Sequence, residues 1–360
     1  MAERSVTSGP TIYEVAARAG VSIATVSRTF SDSSKVAART RDAVLDAARE
    51  LHYVPAAAAR ALAVRRSKAL GVVLPHIDGP YYAELLVGFE IAASELGLSV
   101  VLALAGPQER RSAAVLDLLG RVDGVAFMAR GGADDAAVLE VAGVRPTVSV
   151  ARGRVDGVDA FYAENRGTAR ELTEHLIQHG HRRIGFVGRP EEGSDIGRRH
   201  RGYLEALDAA GLAPAAHFAV APVEHAGLEL ADQLLAEQRD DAGGLTGLDA
   251  LVCGNDELAM ALVARMADAG IDIPGRLAIT GWDDTVTARY LTPGLTSVRQ
   301  EVAELGALAA RRLAARIGGE PEQGPVTVAS TLVLRRSCGC DPAAPLTFAP
   351  ITDIPTKESS

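Results

Sequence analysis

Along the first fifty residues, apolar positions recur every three or four: Ile12, Val15, Ala16 and Ala19, then Ile23 and Val26, then Val36, Ala43, Val44, Ala47, Ala48 and Leu51. That spacing puts apolar side chains on one face of a helix, so three short helices are predicted. Their ends are marked too. Thr11 followed three residues on by Glu14 is a capping box, Gly20 supplies a left-handed stop, and Ser22 stands where it can cap the second helix. The third helix should end near His52 and Tyr53, before Pro55, since proline cannot continue a helix. Residues 56–63 are alanine-rich and helix-prone. An isolated helix of about eight residues is marginal in water, so this one should order only when something supports it.

From Lys68 the rhythm changes. Continuous apolar runs at 70–74, 98–104, 124–128 and 147–150 read as buried strands, with helical stretches at 82–96 and 109–119. The alternation resumes with helices at 168–179, 199–210, 228–237 and 257–269 and strands at 184–187, 248–253 and 277–281. Repeated strand–helix–strand units with fully apolar strands imply doubly wound parallel sheets covered by helices on both faces. There are too many strands for one compact sheet, so the expected fold is α/β with two similar lobes behind an all-α helix-turn-helix head. The last stretch, 341–360, is rich in Pro, Thr and Ser without helical period and is expected to be disordered.

Charge sharpens this division. The chain of 360 residues carries a net charge of −9, but residues 1–68 hold eleven Lys and Arg against six acids, a net +5, which leaves −14 for the remainder. A basic head on an acidic body concentrates attraction to phosphates at one end. Three cysteines give no disulfide framework, which points to a reducing cytosol. Met1 to Pro10 is polar, without the apolar core of a signal peptide, and no apolar run is long enough for a membrane span.

Enzyme chemistry finds little footing. The sequence has no Gly-x-x-x-x-Gly-Lys loop, Gly-x-Ser-x-Gly elbow or His-Glu-x-x-His helix. His175 and His179 stand one helical turn apart, yet no local carboxylate or cysteine completes a metal site, and Cys338-Gly-Cys340 alone offers two thiols rather than four ligands. No catalytic residue, metal or cofactor is expected.

Specific motifs give the chain a resemblance. Residues 12–28, Ile-Tyr-Glu-Val-Ala-Ala-Arg-Ala-Gly-Val-Ser-Ile-Ala-Thr-Val-Ser-Arg, closely resemble the opening of the LacI/GalR family of bacterial repressors. So do 36–41 (Val-Ala-Ala-Arg-Thr-Arg), 51–55 (Leu-His-Tyr-Val-Pro) and 59–62 (Ala-Arg-Ala-Leu). Further matches are 175–184 around His-Gly-His, 254–259 (Gly-Asn-Asp-Glu-Leu-Ala), 281–284 (Gly-Trp-Asp-Asp) and 291–299. Together they span roughly 11–338, in order.

The resemblance implies a cytoplasmic, nucleoid-associated homodimer that binds near-palindromic double-stranded operator DNA under control of a small-molecule effector, a sugar or related metabolite. It implies a head at 1–55, a hinge helix and linker at 56–67, and a two-lobed core of the type I periplasmic-binding-protein kind at 68–340. The second helix of such a head lies in the major groove, which places Ser22, Ile23, Ala24, Thr25 and Arg28 at base edges. Arg28 can give two donors to guanine, while Ile23 and Ala24 can only make apolar contacts. Thr11, Tyr13, Ser27 and Thr40 are hydroxyls placed for phosphates. Leu62 matches the leucine that wedges into the minor groove at the operator centre. In the core, Tyr81, Tyr82, Arg199, Asn255 and Asp283 match effector-pocket positions.

Two departures matter. Ala56 stands where the family commonly has Asn after the proline, and Ala151-Arg152 replaces a common Asp-Arg pair. The competing reading is a solute-binding protein of the same core fold, which the basic head and polar N-terminus argue against. A phosphate-handling kinase lobe is disfavoured by the missing phosphate loop.

Overall fold

The computed structural model describes residues 10–31, 35–51, 53, 67–77, 79–105, 115–129, 133–237, 245 and 247–340. The expected hinge helix with Leu62 and the expected disordered tail lie outside the described residues. The chain divides into two compact units, one built from the first 69 residues with 121–123, the other from the rest.

The first unit holds α1 (Ile12–Ala19), α2 (Ile23–Ser31) and α3 (Ala38–Glu50). The third helix starts two residues after Val36, which lies outside it. Thr11 and Glu14 form the expected capping box, and Gly20 closes α1 in the left-handed conformation. Val15, Val26 and Val44 are fully buried where the helices meet, joined by Ala16, Ala47 and Ala48. At about 1.5–3 kcal/mol for each buried valine-sized side chain, a core this small holds the head by a narrow margin. The exposed Arg18–Glu50 pair between α1 and α3 adds little, since such pairs contribute at most about 1 kcal/mol.

In the second unit, β1 (Ala69–Leu74), β2 (Ser99–Leu104), β3 (Gly124–Met128), β4 (Thr147–Val150) and β5 (Asp159–Ala163) form one sheet with a late strand, β11 (Val326–Val328), in the order β11-β5-β4-β3-β1-β2. α4 (Pro80–Glu95) and α5 (Asp135–Ala142) belong to this lobe. The second lobe contains α6 (Arg166–Gln178), β6 (Ile184–Val187), α7 (Asp195–Ala209), β7 (Ala216–Phe218), α8 (Glu224–Glu237), β8 (Ala250–Cys253), α9 (Asp256–Asp268) and β9 (Ala278–Thr280), with sheet order β7-β6-β8-β9. Every registered pair in both sheets is parallel, and β1, β3, β4, β6 and β8 are buried along their whole length. Apart from the buried Thr147 and Ser149 of β4, these strands carry no polar side chains, because helices cover both faces.

After α10 (Val286–Tyr290) and β10 (Ser297–Gln300), the chain returns to the first lobe as α11 (Val302–Ile317) and β11, then leaves again as β12 (Ser330–Val333), antiparallel to β10. The helices α4 and α11 cross at two glycines. A methyl group on Gly88 would stand 1.9 Å from the Ala303 carbonyl oxygen, and one on Gly306 would stand 2.1 Å from that of Leu85. Only a bare backbone allows that approach.

The two lobes are thus joined three times, at 164–165, 300–301 and 328–330, and these connections lie side by side. Glu164 N–H donates to the Val328 carbonyl at 2.7 Å, Ser330 Oγ donates to the Glu164 carbonyl at 2.7 Å, and Gln300 pairs with Ser330 across the β10–β12 ladder. The Glu164 carboxylate also accepts from the backbone N–H groups of Gly167 and Thr168, at 2.7 and 2.8 Å, capping α6 as it leaves the first connection.

Candidate functional site

On the head, the residues named for base edges lie at the start and along the outer face of α2. Ser22, Ile23, Ala24, Ser27 and Arg28 are exposed and Thr25 is half-buried. The inward face of the same helix carries Val26 and Thr29, which are buried. Ser22 and Thr25 face each other, their hydroxyls 2.9 Å apart, and Ser22 Oγ accepts from Thr25 N–H at 3.2 Å, which fixes the first turn of α2. Thr11 is likewise engaged locally, its hydroxyl donating to Glu14 at 2.9 Å. Tyr13 projects outward with 68% exposure, and Thr40 is half-buried near the start of α3.

In the second unit, Tyr81, Tyr82, Arg199, Asn255 and Asp283 all line one cavity of about 410 Å³. It sits beyond the carboxyl ends of the strands in both lobes. Pro75 follows β1, Ala129 follows β3 and Ala151 follows β4, while Arg189, Asn255 and Asp283 stand just past β6, β8 and β9. Open parallel sheets present ligand sites at this end. Ala129 and Ala151 hold positive φ angles of 58° and 54°, and Asp283 one of 109°. Such conformations in non-glycine residues persist only where the surroundings impose them.

Arg199 organises the polar side. It is 5% exposed, its Nε donates to Asn165 Oδ1 at 2.7 Å, and Nη1 donates to the Gly254 carbonyl at 2.6 Å. Nη2 reaches Gln300 Oε1 at 3.4 Å and lies 4.0 Å from Asp283, while the guanidinium rests 4.5 Å from the centre of the buried Trp282 ring. Gln300 in turn donates to Asp283 Oδ1 at 2.6 Å. Burial pushes the Asp283 carboxyl well above its ordinary range, against the pull of Arg199. Asn255 also has a local duty, since its Oδ1 caps α9 at Leu258 N–H and its Nδ2 donates to the Pro222 carbonyl.

The neighbouring carboxylate behaves differently. Asp284 is held by Arg299 at 3.1 Å, Arg289 at 3.4 Å and Arg335 at 2.5 Å. Three guanidiniums make it a structural anchor of the β10–β12 region, facing away from ligand chemistry.

The apolar wall comes from the first lobe. Tyr81 and Tyr82 meet edge to face at 5.4 Å, and His76 packs edge to face on Tyr82 at 4.9 Å. Tyr81 Oη and His76 Nδ1 are buried without a hydrogen-bond partner, and burial raises both tyrosine hydroxyls above their usual range. Sequence reasoning did not find His76, Glu191, Asp195 or Glu257, which also line the cavity, nor Asn165 and Gln300, which hold Arg199. Where the family commonly has Asp, Ala151 offers only a methyl group to the cavity, and Arg152 turns away to pair with Asp135.

The chain is similar to known proteins along most of its length. Residues 11–56 match the family model of bacterial regulatory proteins of the lacI family, and 173–338 match a periplasmic binding protein-like domain. The repressor PurR of Erwinia tasmaniensis is 32% identical over 340 residues, covering 92% of this chain and 98% of that protein. The regulator CelR of Thermobifida fusca is 33% identical over 345 residues, with the same coverage of both chains. The lac repressor dimer bound to operator and the anti-inducer ONPF superposes with a TM-score of 0.80 at 26% identity, covering 92% of this chain and 99% of that one. The CelR–cellobiose complex gives a TM-score of 0.67 at 30% identity, covering 91% of this chain and 99% of that one.

Proposed function

The chain belongs to the LacI family of bacterial regulatory proteins, and from that premise we propose how its parts divide the work of a ligand-controlled repressor. It is a sequence-specific DNA-binding transcriptional regulator that acts as a dimer on operator DNA and answers to a small-molecule effector. Its relatives are regulators rather than enzymes.

The domains run as a head to residue 55, a hinge over 56–67 and a core over 68–340. On the head, Arg28 reads a guanine while Ile23 and Ala24 touch base methyls, since these are exposed on the outer face of α2. Tyr13, Ser27 and Thr40 bind phosphates. Ser22, Thr25 and Thr11 mainly hold their helix ends in place, because their hydroxyls already have local partners. Leu62 wedges the operator centre. Exposed Val87 and Ile91 on α4, with Leu102 and Leu104 on the edge strand β2, supply an apolar face suited to the dimer contact. The dimer works in the cytoplasm on nucleoid DNA.

The effector is a neutral polyhydroxyl compound of mono- to disaccharide size. The observation that carries this is the pocket's own chemistry. Four carboxylates line it against two guanidiniums, which repels phosphates and carboxylates and suits hydroxyl donors. The unpartnered Tyr81 Oη and His76 Nδ1 await polar ligand atoms, and the tyrosine faces give a sugar ring an apolar wall. The CelR relative takes cellobiose, a ligand of this class.

The test is a thermal-shift panel of neutral sugars, sugar phosphates and purines, followed by operator titrations with each hit. A neutral sugar should raise the unfolding midpoint and change operator affinity at least tenfold. A purine or sugar phosphate as sole effector would refute the ligand class while leaving the regulator intact.

A further inference from the structure

Two stretches of sequence that carry no chemistry apart meet in the second lobe. His175 and His179 stand one turn apart on α6, their rings 4.5 Å apart. The short 3-10 turn Arg336–Cys338 that follows β12 brings Cys338 and Cys340 back onto those rings. Cys340 Sγ lies 3.3 Å from His175 Nε2 and 3.4 Å from His179 Nε2, while Cys338 Sγ lies 3.4 Å from His175 Nε2. The donor atoms of His175, His179 and Cys340 all fall within 4.8 Å of one another. Gly339 makes the return possible: its φ of 95° is strained for any residue with a side chain, and it lets both thiols face one helix.

We propose that His175, His179, Cys338 and Cys340 form a tetrahedral Zn²⁺ site that fastens this end of the core to α6. The donor set of two thiolates and two imidazoles suits zinc, whereas hard cations such as Mg²⁺ and Ca²⁺ take oxygen ligands. With Zn–S about 2.3 Å and Zn–N about 2.0 Å, tetrahedral sulfur and nitrogen ligands stand about 3.5 Å apart. Three of the four sulfur–nitrogen separations fall just inside that distance. Cys338 stands outside the group of donors that all lie within 4.8 Å of one another, so its side chain turns toward the ion to complete the tetrahedron.

Ordinary hydrogen bonding accounts for the cluster less well. His175 Nε2 faces both sulfurs, and Cys340 Sγ faces both imidazole nitrogens. A single ring nitrogen has one proton or one lone pair, so it can satisfy one of those neighbours. A cation at the centre satisfies all of them together. The surroundings help: the Thr296 hydroxyl stands 3.0 Å from both the buried Cys338 sulfur and the Arg335 carbonyl, and turning its one proton to the sulfur stabilises a thiolate. The exposed His179 leaves a route in from solvent. None of these residues lines the effector cavity, so the site is separate from it.

The experiment uses the full chain without a histidine tag, reduced, stripped by chelation and then titrated with Zn²⁺ or Co²⁺. Expected are one Zn²⁺ per chain, the strong visible absorption of tetrahedral thiolate-bound Co²⁺, and a higher unfolding midpoint with Zn²⁺. His179→Ala, at an exposed position, should weaken binding at least tenfold. A Cys338→Ser/Cys340→Ser double variant should abolish the Co²⁺ absorption, and Cys253→Ser should leave the Zn²⁺ stoichiometry and the Co²⁺ absorption unchanged. A weak octahedral Co²⁺ spectrum overturns the proposal, as does Zn²⁺ binding undiminished in both ligand variants. A chain that binds no Zn²⁺ with both thiols reduced overturns it equally.

Discussion

The head and the core pocket put their functional side chains in opposite conditions. On α2, Ile23, Ala24, Ser27 and Arg28 stand in solvent, and the helix beneath them is held by a handful of buried Val and Ala side chains. In the pocket, Arg199, Asn255 and Asp283 are largely withdrawn from water and already bonded to Asn165, Gly254, Gln300 or Pro222. The head offers free groups on a thinly supported platform. The pocket offers engaged groups in a dense one. A base edge only has to reach Arg28, whereas an effector must re-partner a network that also touches two of the lobe connections.

The comparison breaks most sharply in the head's core. Val15→Asp buries an unpaired carboxylate in a core of only a few Val and Ala side chains, at a cost of several kcal/mol that the head cannot absorb. Operator affinity should fall by more than a hundredfold while effector thermal shifts persist; if operator binding survives, the head is far more robust than its core implies.

Next come the pocket variants. Arg199→Ala leaves Asn165, Gln300 and Asp283 without their shared partner and should lower the unfolding midpoint as well as abolish the effector response. Asp283→Asn should abolish the response without that loss. A carboxyl whose pKa is raised by folding binds its proton more tightly in the native state, so stability falls as pH rises from the ordinary carboxyl range towards the raised value. Burial raises the Asp283 carboxyl, and an asparagine has no proton to lose, so Asp283→Asn removes that penalty and should leave the midpoint at pH 7 level or higher. Calorimetry of the two variants at pH 5 and 7 checks this, and an equal destabilisation by both would show that Asp283 is a structural partner rather than a ligand contact.

A smaller effect belongs to Arg28→Ala, about 1–3 kcal/mol of specific binding with relaxed preference at one symmetric base position. A randomised operator library read by sequencing distinguishes this from a uniform loss. Smallest is Ser22→Ala, expected to cost about 1 kcal/mol of head stability through the lost cap. Its operator binding should weaken evenly across sequences, and a base-specific change would return Ser22 to the reading surface.

The sequence disclosed the buried strands best. β3 and β6 fall on the residues that a continuous apolar run predicts, since both of their faces are covered, and β4 falls on its expected residues although Thr147 and Ser149 interrupt the run. β5 escaped because it opens on Asp159, whose carboxylate is buried beside Arg312 and Arg316 at 3.2 and 3.6 Å. A charge inside a strand masks its pattern. β11 escaped because three residues carry no period and its partner β5 lies more than 160 positions earlier. The same distance hid the rest of the site. Asn165 and Gln300 stand 34 and 101 residues from Arg199, so no local spacing announces them. In Gly281-Trp-Asp-Asp284 the two acids look alike as letters, and only the fold gives one to Gln300 and the other to three arginines.

The three side-by-side connections between the lobes have a kinematic consequence. One strand between two bodies is a swivel, free to turn in every direction. Three of them, cross-tied through Glu164, Val328, Ser330 and Gln300, behave as a door hinge with a single axis. Ligands entering the cleft can therefore differ in how far they swing the lobes but hardly in the direction, and a weak effector should be a shorter stroke along the same path.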